Sequence, residues 1–313
     1  MANHDMSIAS TGSTPSHVQQ ALVRDSVRGR LLAALPVTER SLSLNGLRTA
    51  VLEGGEGVPI VLLHGPGGYA AHWSSVIPDL TLTHRVVAPD LPGHGASDPV
   101  AGLPDHDMTL GWLDDLIECT CHVPPVLVGQ TLGGALAARF AAERGVRLRA
   151  LVLVDTLGLT AFQPVPEFAS ALEAFLSTPT SQTHDRLWSQ CAFDLPALRS
   201  QLGEQWEWLK AYNLDRVQAP GRLATLSSLM AQFGVPAIPP PMLARITVPT
   251  ALIWGRQDRA TSLQIASDAS ARYGWELRVI DAAADDPALE QPQAFVNVLR
   301  ELVAHLGTQG GAS

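Results

Sequence analysis

The chain has 313 residues, of which 46% are hydrophobic and 16% charged, and its formal net charge is −9. This length and apolar content are enough for a large buried core, so they exclude a chain that is disordered throughout. The acidic balance, without a basic stripe, argues against nucleic acid or an anionic membrane as a partner.

The amino terminus is polar and lacks the apolar stretch of a signal peptide, so we predict a disordered tail over residues 1–16. No apolar run reaches the roughly 18 residues of a membrane span. Cys119, Cys121 and His122 lie close together but lack a fourth ligand for zinc, so we interpret them as a helix end leading into a strand. Reduced cysteines fit a cytoplasmic protein.

Along the chain, helical spacing first covers residues 17–35, and an alternating stretch around Asn45 and Gly46 then predicts a β-hairpin. Short apolar runs follow: VPIVLLHG, HRVVAPDLPGHGASD, PPVLVG, LRALVLVD, VPTALIWG and ELRVID. Helical patterns lie between most of them, at 110–121, 132–144 and 262–273. This alternation predicts an α/β fold, in which helices flank both faces of a mostly parallel sheet.

Residues 157–241 interrupt the alternation with helical stretches, one of them predicted to run over 195–212. We predict a helical cap insertion over the carboxyl ends of the strands, where open α/β sheets bind ligands. The predicted organisation is a core from 17–156, the cap, a second core part from 242–307 and a tail from 308–313. Aromatic side chains in the cap suit a small apolar or aromatic ligand.

Five motifs occur in a fixed order: LLHGPGG (62–68), APDLPGHGASD (88–98), VGQTLGG (128–134), LIWGRQD (252–258) and DDPALEQPQAF (285–295). Together they resemble the α/β-hydrolase superfamily, in its capped branch, over most of the chain. The resemblance implies an enzyme with a nucleophile on a strand-to-helix turn, a histidine base and a carboxylate that orients it. No phosphate-binding loop occurs, so no nucleotide cofactor is implied, and we expect no metal.

Two catalytic positions depart from the pattern that the resemblance implies. Thr131 stands where the family has its nucleophile, and a β-branched residue is disfavoured in that strained turn. Alignment on Pro287 and Glu290 puts Asp285 where the histidine belongs, and Asp258 fills the place of the acid. An aspartate, with an ordinary pKa of about 3.9, is a weaker base than a histidine at about 6.5.

The oxyanion-binding groups also differ from the family pattern. The loop that begins at Gly65 continues with Pro66, which has no N–H to donate. Gly67 or the glycine after it could replace that donor, and the N–H of Leu132 supplies a second one. We place Gln130 beside these groups, near the carbonyl of the substrate.

Asp258 and Asp285 are expected to lie near each other. Two close carboxylates cannot both remain ionised at low cost, so they share a proton, are joined by an arginine, or form an inert ion cluster. Arg256 and Arg259 flank Asp258 and are the candidate arginines. A proton-sharing pair could act as a general acid and base.

Three hypotheses follow for function. The first is an enzyme that acts on a small apolar carbonyl-containing or ester-like compound by lyase, isomerase, decarboxylase or cyclase chemistry, using the aspartates. The second is a weak hydrolase in which Thr131 is activated by a histidine recruited from elsewhere, the candidates being His64, His72, His94, His106 and His184. The third is a non-catalytic small-ligand-binding protein. An imidazole bonded to Thr131 would favour the second, and an arginine paired with Asp285 the third.

Overall fold

The computed structural model describes residues 26–100 and 104–309, and within them eight strands form one sheet in the order β1-β2-β4-β3-β5-β6-β7-β8. The strands are β1 (Thr38–Leu44), β2 (Leu47–Gly54), β3 (Pro59–Leu63), β4 (Arg85–Pro89), β5 (Val126–Gln130), β6 (Ala150–Val154), β7 (Thr250–Gly255) and β8 (Glu276–Ile280). Strand β2 runs antiparallel to both β1 and β4, and the remaining pairs are parallel. The predicted α/β fold with a mostly parallel sheet is confirmed.

Helices connect the parallel strands and pack on both faces of the sheet. They are α1 (Val27–Ala33), α2 (Ile77–Leu80), α3 (His106–Thr120), α4 (Leu132–Arg144), α5 (Pro166–Ser177), α6 (Ser181–Cys191), α7 (Leu195–Leu202), α8 (Glu204–Val217), α9 (Arg222–Leu229), α10 (Pro240–Leu243), α11 (Leu263–Tyr273), α12 (Pro287–Glu290) and α13 (Pro292–Gln309). Short 3-10 helices cover Ala70–Ser75 and Gly145–Arg147, and Met230–Gly234 is a π-helix. No helix of the described ranges is long and apolar enough to cross a bilayer.

The central strands are apolar throughout because both of their faces are covered. Every residue of β6 is buried, and its side chains alternate between two apolar clusters. Leu151 and Leu153 belong to the cluster on one face, whereas Val152 and Val154 belong to the cluster on the other. The period-two alternation of a strand therefore fills two separate cores, one on each side of the sheet.

The helices between β6 and β7 form an insert that contacts loops at the carboxyl ends of other strands. Gln205 bonds Ser74 after β3, and Gln201 donates to the carbonyl of Leu289 after β8. The single helix predicted over 195–212 is wrong: Gly203, at φ 54°, breaks it into α7 and α8. This positive φ suits glycine, which carries no Cβ.

The ends of the chain are only partly described. The predicted tail at 1–16 lies outside the described residues, as does the predicted helix before residue 26. The tail predicted from residue 308 is wrong at its start, since α13 continues to Gln309. Cys119 lies in the last turn of α3 and Cys121 directly follows it, as the sequence predicted.

Candidate active site

Thr131 occupies the turn between β5 and α4, with φ 46° and ψ −106°. This left-handed conformation is costly for a β-branched residue, by about 1–3 kcal/mol. Small neighbours make the tight turn possible. A Cβ on Gly129 would lie 2.6 Å from the carbonyl carbon of Gly133, far inside van der Waals contact. The elbow geometry therefore depends on the glycines of the VGQTLGG motif.

The Thr131 hydroxyl is enclosed beside the loop that follows β3. Thr131 is 8% exposed, and its Oγ1 has no hydrogen-bond partner within the described residues. A Cβ on Gly65 would collide with that oxygen, so only glycine fits beside it. The predicted site residues Thr131 and Gly65 are thus brought into direct contact.

The loop offers few amide donors to a substrate oxygen. The N–H of Gly68 donates to the Gly65 carbonyl, at 3.2 Å between N and O, so it serves the turn itself. Pro66 has no N–H. Gly67 remains as the loop's candidate donor, at φ 69° and with open space around its Cα. Across the site, the N–H of Leu132 opens α4, where the first amides have no partner inside the helix.

Asp285 follows β8 and lies close to the insert. Its backbone N–H approaches the carbonyl oxygen of Cys191 at 3.5 Å. Burial raises the pKa of the Asp285 carboxyl well above its ordinary value, and the negative charges of Asp258, Asp286 and Glu290 raise it further. The histidine position is therefore occupied by an acid that favours its neutral form.

The side chain of Gln130 contacts the loop that follows β8. Its side-chain Nε2 donates to the backbone carbonyl of Asp285 at 2.9 Å, and a further contact with the Asp286 carboxylate lowers the pKa of that group. The predicted position of Gln130 near a substrate carbonyl stays a prediction. Gln130 joins the end of β5 to the loop after β8 and fixes where Asp285 lies.

Asp258 has donors of its own in the turn after β7. Its Oδ1 accepts from the N–H groups of Ala260 and Thr261, at 2.7 and 3.0 Å, and its Oδ2 accepts from the Thr261 hydroxyl. Burial raises the pKa of Asp258, while the bonds from Thr261 and Ala260 oppose that rise. Asp258 is thus the member of the cluster best arranged to carry a negative charge.

A third aspartate, Asp155, joins this group from the end of β6, and sequence reasoning missed it. It is fully buried at φ 41°, and its Oδ1 accepts from the Gly255 N–H at 2.9 Å. Burial raises its pKa well above the ordinary value, with further contributions from the Asp258 and Asp285 charges. The signal was present in LRALVLVD, because an acid that ends a parallel strand lies at the ligand-binding edge.

The arginines predicted to neutralise these acids bind elsewhere. Arg256 forms an ion pair with Asp281 at the surface. Arg259 donates to the carbonyl of Ser189 in the insert, at 3.3 Å. Neither arginine pairs with Asp258, so the alternative of an arginine bridge is not found among the described residues. Backbone N–H groups donate to Asp258 and to Asp155 instead.

Two more acids complete the loop after β8. The Oδ1 of Asp286 accepts from the Leu289 N–H at 3.2 Å, which caps α12, and burial raises its pKa to about 7. Glu290 accepts from the N–H of Phe193 at 2.6 Å and from that of Ala284 at 2.7 Å. Glu290 therefore ties the insert to the loop that carries Asp285.

Two candidate histidines, His184 in the insert and His72 beside it, contact residues other than Thr131. His72 accepts from the Tyr69 N–H at 3.3 Å and stacks on Trp188. His184 lies 3.2 Å from the amide of Asn213. Burial lowers the pKa of both imidazoles to about 4, so both are neutral near pH 7.

The other three candidate histidines, which lie in the core, also have partners other than Thr131. His64 receives a hydrogen bond from the Leu91 N–H, at 3.0 Å, on its Nε2. The Nδ1 of His94 donates to the Pro92 carbonyl at 2.9 Å. His106 is paired with Glu143. Since Thr131 Oγ1 has no partner in the described ranges, no imidazole there is bonded to the hydroxyl.

A family model described as "Alpha/beta hydrolase family" matches residues 60–298, and the chain belongs to this family. The chain is 29% identical to the 2-hydroxy-6-oxo-6-phenylhexa-2,4-dienoate hydrolase of Burkholderia cepacia over 72% of its own length and 80% of that protein. It is 26% identical to the pimeloyl-[acyl-carrier protein] methyl ester esterase of Aeromonas hydrophila, over 80% and 96%. These relatives are hydrolytic enzymes.

A solved structure agrees with these sequence matches. The chain superposes on a 2-hydroxy-6-oxo-6-phenylhexa-2,4-dienoate hydrolase from a Rhodococcus species with a TM-score of 0.75 and 25% sequence identity. The match covers 86% of this chain and 99% of that one. The resemblance identified from the five motifs is therefore confirmed at the level of family and fold.

Proposed function

We propose that this chain is an enzyme of the α/β-hydrolase family that acts on a small apolar compound with a carbonyl group. Its buried carboxyl groups move the protons, and no acyl-enzyme forms on Thr131. The observation that carries the proposal is the raised pKa of Asp285, a carboxyl that stands where the resemblance predicts a histidine. Asp258 and Asp155 lie close to it. A carboxyl whose pKa is raised can both donate and take back a proton near neutral pH.

The proposed chemistry begins with a carbonyl oxygen held between Leu132 N–H and the loop at Gly65 and Gly67. Protonated Asp285 donates its proton to the substrate, and the resulting carboxylate later recovers a proton from it. Such transfers serve isomerisation or decarboxylation beside a carbonyl. They also serve carbon–carbon cleavage when water adds to the carbonyl carbon, so that one fragment leaves as an acid with the water's hydroxyl and the other takes up the proton. Since two relatives are 2-hydroxy-6-oxo-6-phenylhexa-2,4-dienoate hydrolases, enolisable oxo-acids are the substrate class that we propose for this chain.

We also propose that the insert, with the predicted bounds 157–241, acts as the cap over this site. Its bonds to Ser74, Leu289 and Glu290 support that role, because these residues lie in segments that follow two different strands, β3 and β8. The cytoplasmic location remains a prediction.

The described residues lack the contact that each of the two alternative functions predicts. A weak hydrolase would pair an imidazole with Thr131, whose Oγ1 has no partner in the residues described. A binding protein was expected to pair Asp285 with an arginine, and Arg256 and Arg259 bind other groups.

The test compares wild type with Asp285→Asn and Thr131→Ala on two substrate sets, aryl esters and 2-hydroxy-6-oxo-dienoates. We expect turnover of an oxo-dienoate that falls about 100-fold or more in Asp285→Asn, the usual size of a general acid–base contribution. Thr131→Ala should retain most of it. Ester hydrolysis abolished by Thr131→Ala would overturn the proposal and make Thr131 a nucleophile.

A double variant, Thr131→Ser with Asp285→His, provides the matched control. It restores a serine and a histidine to the elbow and to the loop after β8, with Asp258 unchanged. We expect it to gain aryl-ester hydrolysis that the wild type lacks. That gain would show that the scaffold still supports acyl transfer, and that the side chains at 131 and 285 prevent it.

A further inference from the structure

A cavity of about 240 Å³ lies beside the carboxylate cluster, between the loops that follow β6 and β7. Its wall includes Thr156 and Thr261, which hydrogen-bond the backbone of Thr131 and the Asp258 carboxylate respectively. Neither Thr131 nor Asp285 lines it. An apolar cavity of about 150 Å³ is known to hold benzene, so this space admits an aromatic or short aliphatic compound with a polar group.

Part of the cavity wall is apolar. Leu157, Phe162 and Ile265 contribute to its wall, and they come from the loop after β6, the start of the insert and the first turn of α11. Leu157 is buried, at 4% exposure. These apolar side chains favour the hydrocarbon part of a ligand. Burying that part contributes roughly 25 cal/mol per Å² of apolar surface.

The cavity wall also carries one positive side chain, that of Arg259. Arg259 lines it, and in the described ranges the guanidinium forms no ion pair and donates only to the Ser189 carbonyl. A guanidinium has five N–H donors, so most of its capacity is available. This arginine is next to Asp258 in sequence, but it is exposed, lines the cavity and forms no ion pair with the described carboxylates.

A second positive feature lies beside that arginine. Ser262 lines the cavity and is the N-cap of the eleven-residue helix α11, but its side chain makes no capping hydrogen bond. The Ile265 N–H donates to the Ser262 carbonyl at 2.9 Å, which leaves the amides of Leu263 and Gln264 without a side-chain cap, and a helix amino terminus favours an anion. Polar groups of Thr160 and Gln163 also line this wall.

We propose that this cavity is a binding site for a small carboxylate with an apolar body. The carboxylate pairs with Arg259 at the α11 amino terminus, and the apolar body lies against Leu157, Phe162 and Ile265. Within the proposed function, the site would hold the acid end of a substrate or product. The binding itself does not depend on the reaction.

Isothermal titration calorimetry with benzoate, and with benzamide as its neutral analogue, tests the site. Wild type should bind benzoate about tenfold more tightly than benzamide, the scale of a charge-assisted bidentate contact. Arg259→Gln should remove that preference. Arg256→Gln is the matched control, because Arg256 also flanks Asp258 but is paired with Asp281, and it should keep the preference.

Two further variants locate the binding. Ile265→Trp should fill the cavity and weaken both ligands about tenfold or more. Asp285→Asn should leave benzoate binding unchanged, since Asp285 does not line the cavity. Equal affinity for both ligands, or benzoate binding unaffected by Arg259→Gln or Ile265→Trp, would overturn the site. If Asp285→Asn loses turnover but still binds benzoate, the binding site is tested separately from the proposed reaction.

Discussion

The two halves of the candidate active site are built in different ways. The elbow half, around Thr131 and Gly65, depends on backbone shape, with glycines packed where no Cβ fits. The acid half, around Asp258 and Asp285, depends on side-chain protonation inside a buried cluster. The elbow turn is made possible by the glycines near Thr131. In the acid half, Asp285 stands where the resemblance predicts a histidine, and its carboxyl is buried among other acids.

This comparison teaches which substitutions each half tolerates. A change at a tightly packed glycine alters the backbone and therefore the fold. A substitution at a carboxyl group alters where a proton is held, and the fold can stay the same. The predictions below separate these two kinds of effect.

The largest effect is expected at the elbow, for Gly129→Ala. The new Cβ would lie 2.6 Å from the carbonyl carbon of Gly133 and 2.7 Å from the Cα of Gly134, and these backbone atoms cannot move aside. We expect the free energy of unfolding to fall by about 5 kcal/mol, at the upper end of single-site effects. Urea denaturation followed by circular dichroism measures it.

Gly145→Ala is the control for that prediction. Gly145 follows α4 at φ −56°, and nothing lies within 4 Å of a Cβ built there. We expect a change within about 0.5 kcal/mol. If both variants lost similar stability, the elbow would not depend on close packing at Gly129.

The next effect concerns the acid half and is a pH dependence at Asp286. Its pKa is about 7 in the folded protein and 3.8 ordinarily. Below pH about 4 both states hold the proton, and between about pH 4 and 7 only the folded state does. The contribution of Asp286 to the free energy of unfolding is therefore full below pH about 4 and is lost as the pH rises to about 7, by up to about 4 kcal/mol.

Asp286→Asn isolates this contribution. Asparagine caps helices as well as aspartate does, so the bond to Leu289 is kept. We expect the variant to lose less stability than wild type between pH 4 and 7, measured by urea denaturation across that range. Parallel pH curves for the two proteins would contradict the raised pKa.

The smallest expected effect is a difference in the free energy of unfolding between substitutions at Asp258 and at Asp155. Asp258 accepts three hydrogen bonds and is suited to the charge, whereas the Oδ2 of Asp155 has no donor among the described residues. A neutral Asp155 that donates to Asp258 fits both facts. Asp155→Asn should therefore cost less than about 0.5 kcal/mol, since its amide can donate likewise, and Asp258→Asn about 2 kcal/mol. Equal losses at pH 7 would contradict this location of the proton.

The sequence by itself determined the sheet, its order of motifs and the position of the unusual residues. The apolar runs of the parallel strands and the glycines around Thr131 are local signals, because strand burial and a tight turn each restrict residue type where they occur. The alignment on Pro287 and Glu290 likewise located Asp285. These features needed no knowledge of which segments meet in space.

Only the tertiary structure decided which acids lie together. Asp155, Cys191 and Asp258 come from distant segments, and their approach to Asp285 is visible only once β6, β7, β8 and the insert are assembled. The same assembly turned Arg259 toward the cavity and Gln130 toward the loop after β8. The reason is physical: a pKa depends on burial and on charges within a few ångströms, and neither quantity is local in sequence.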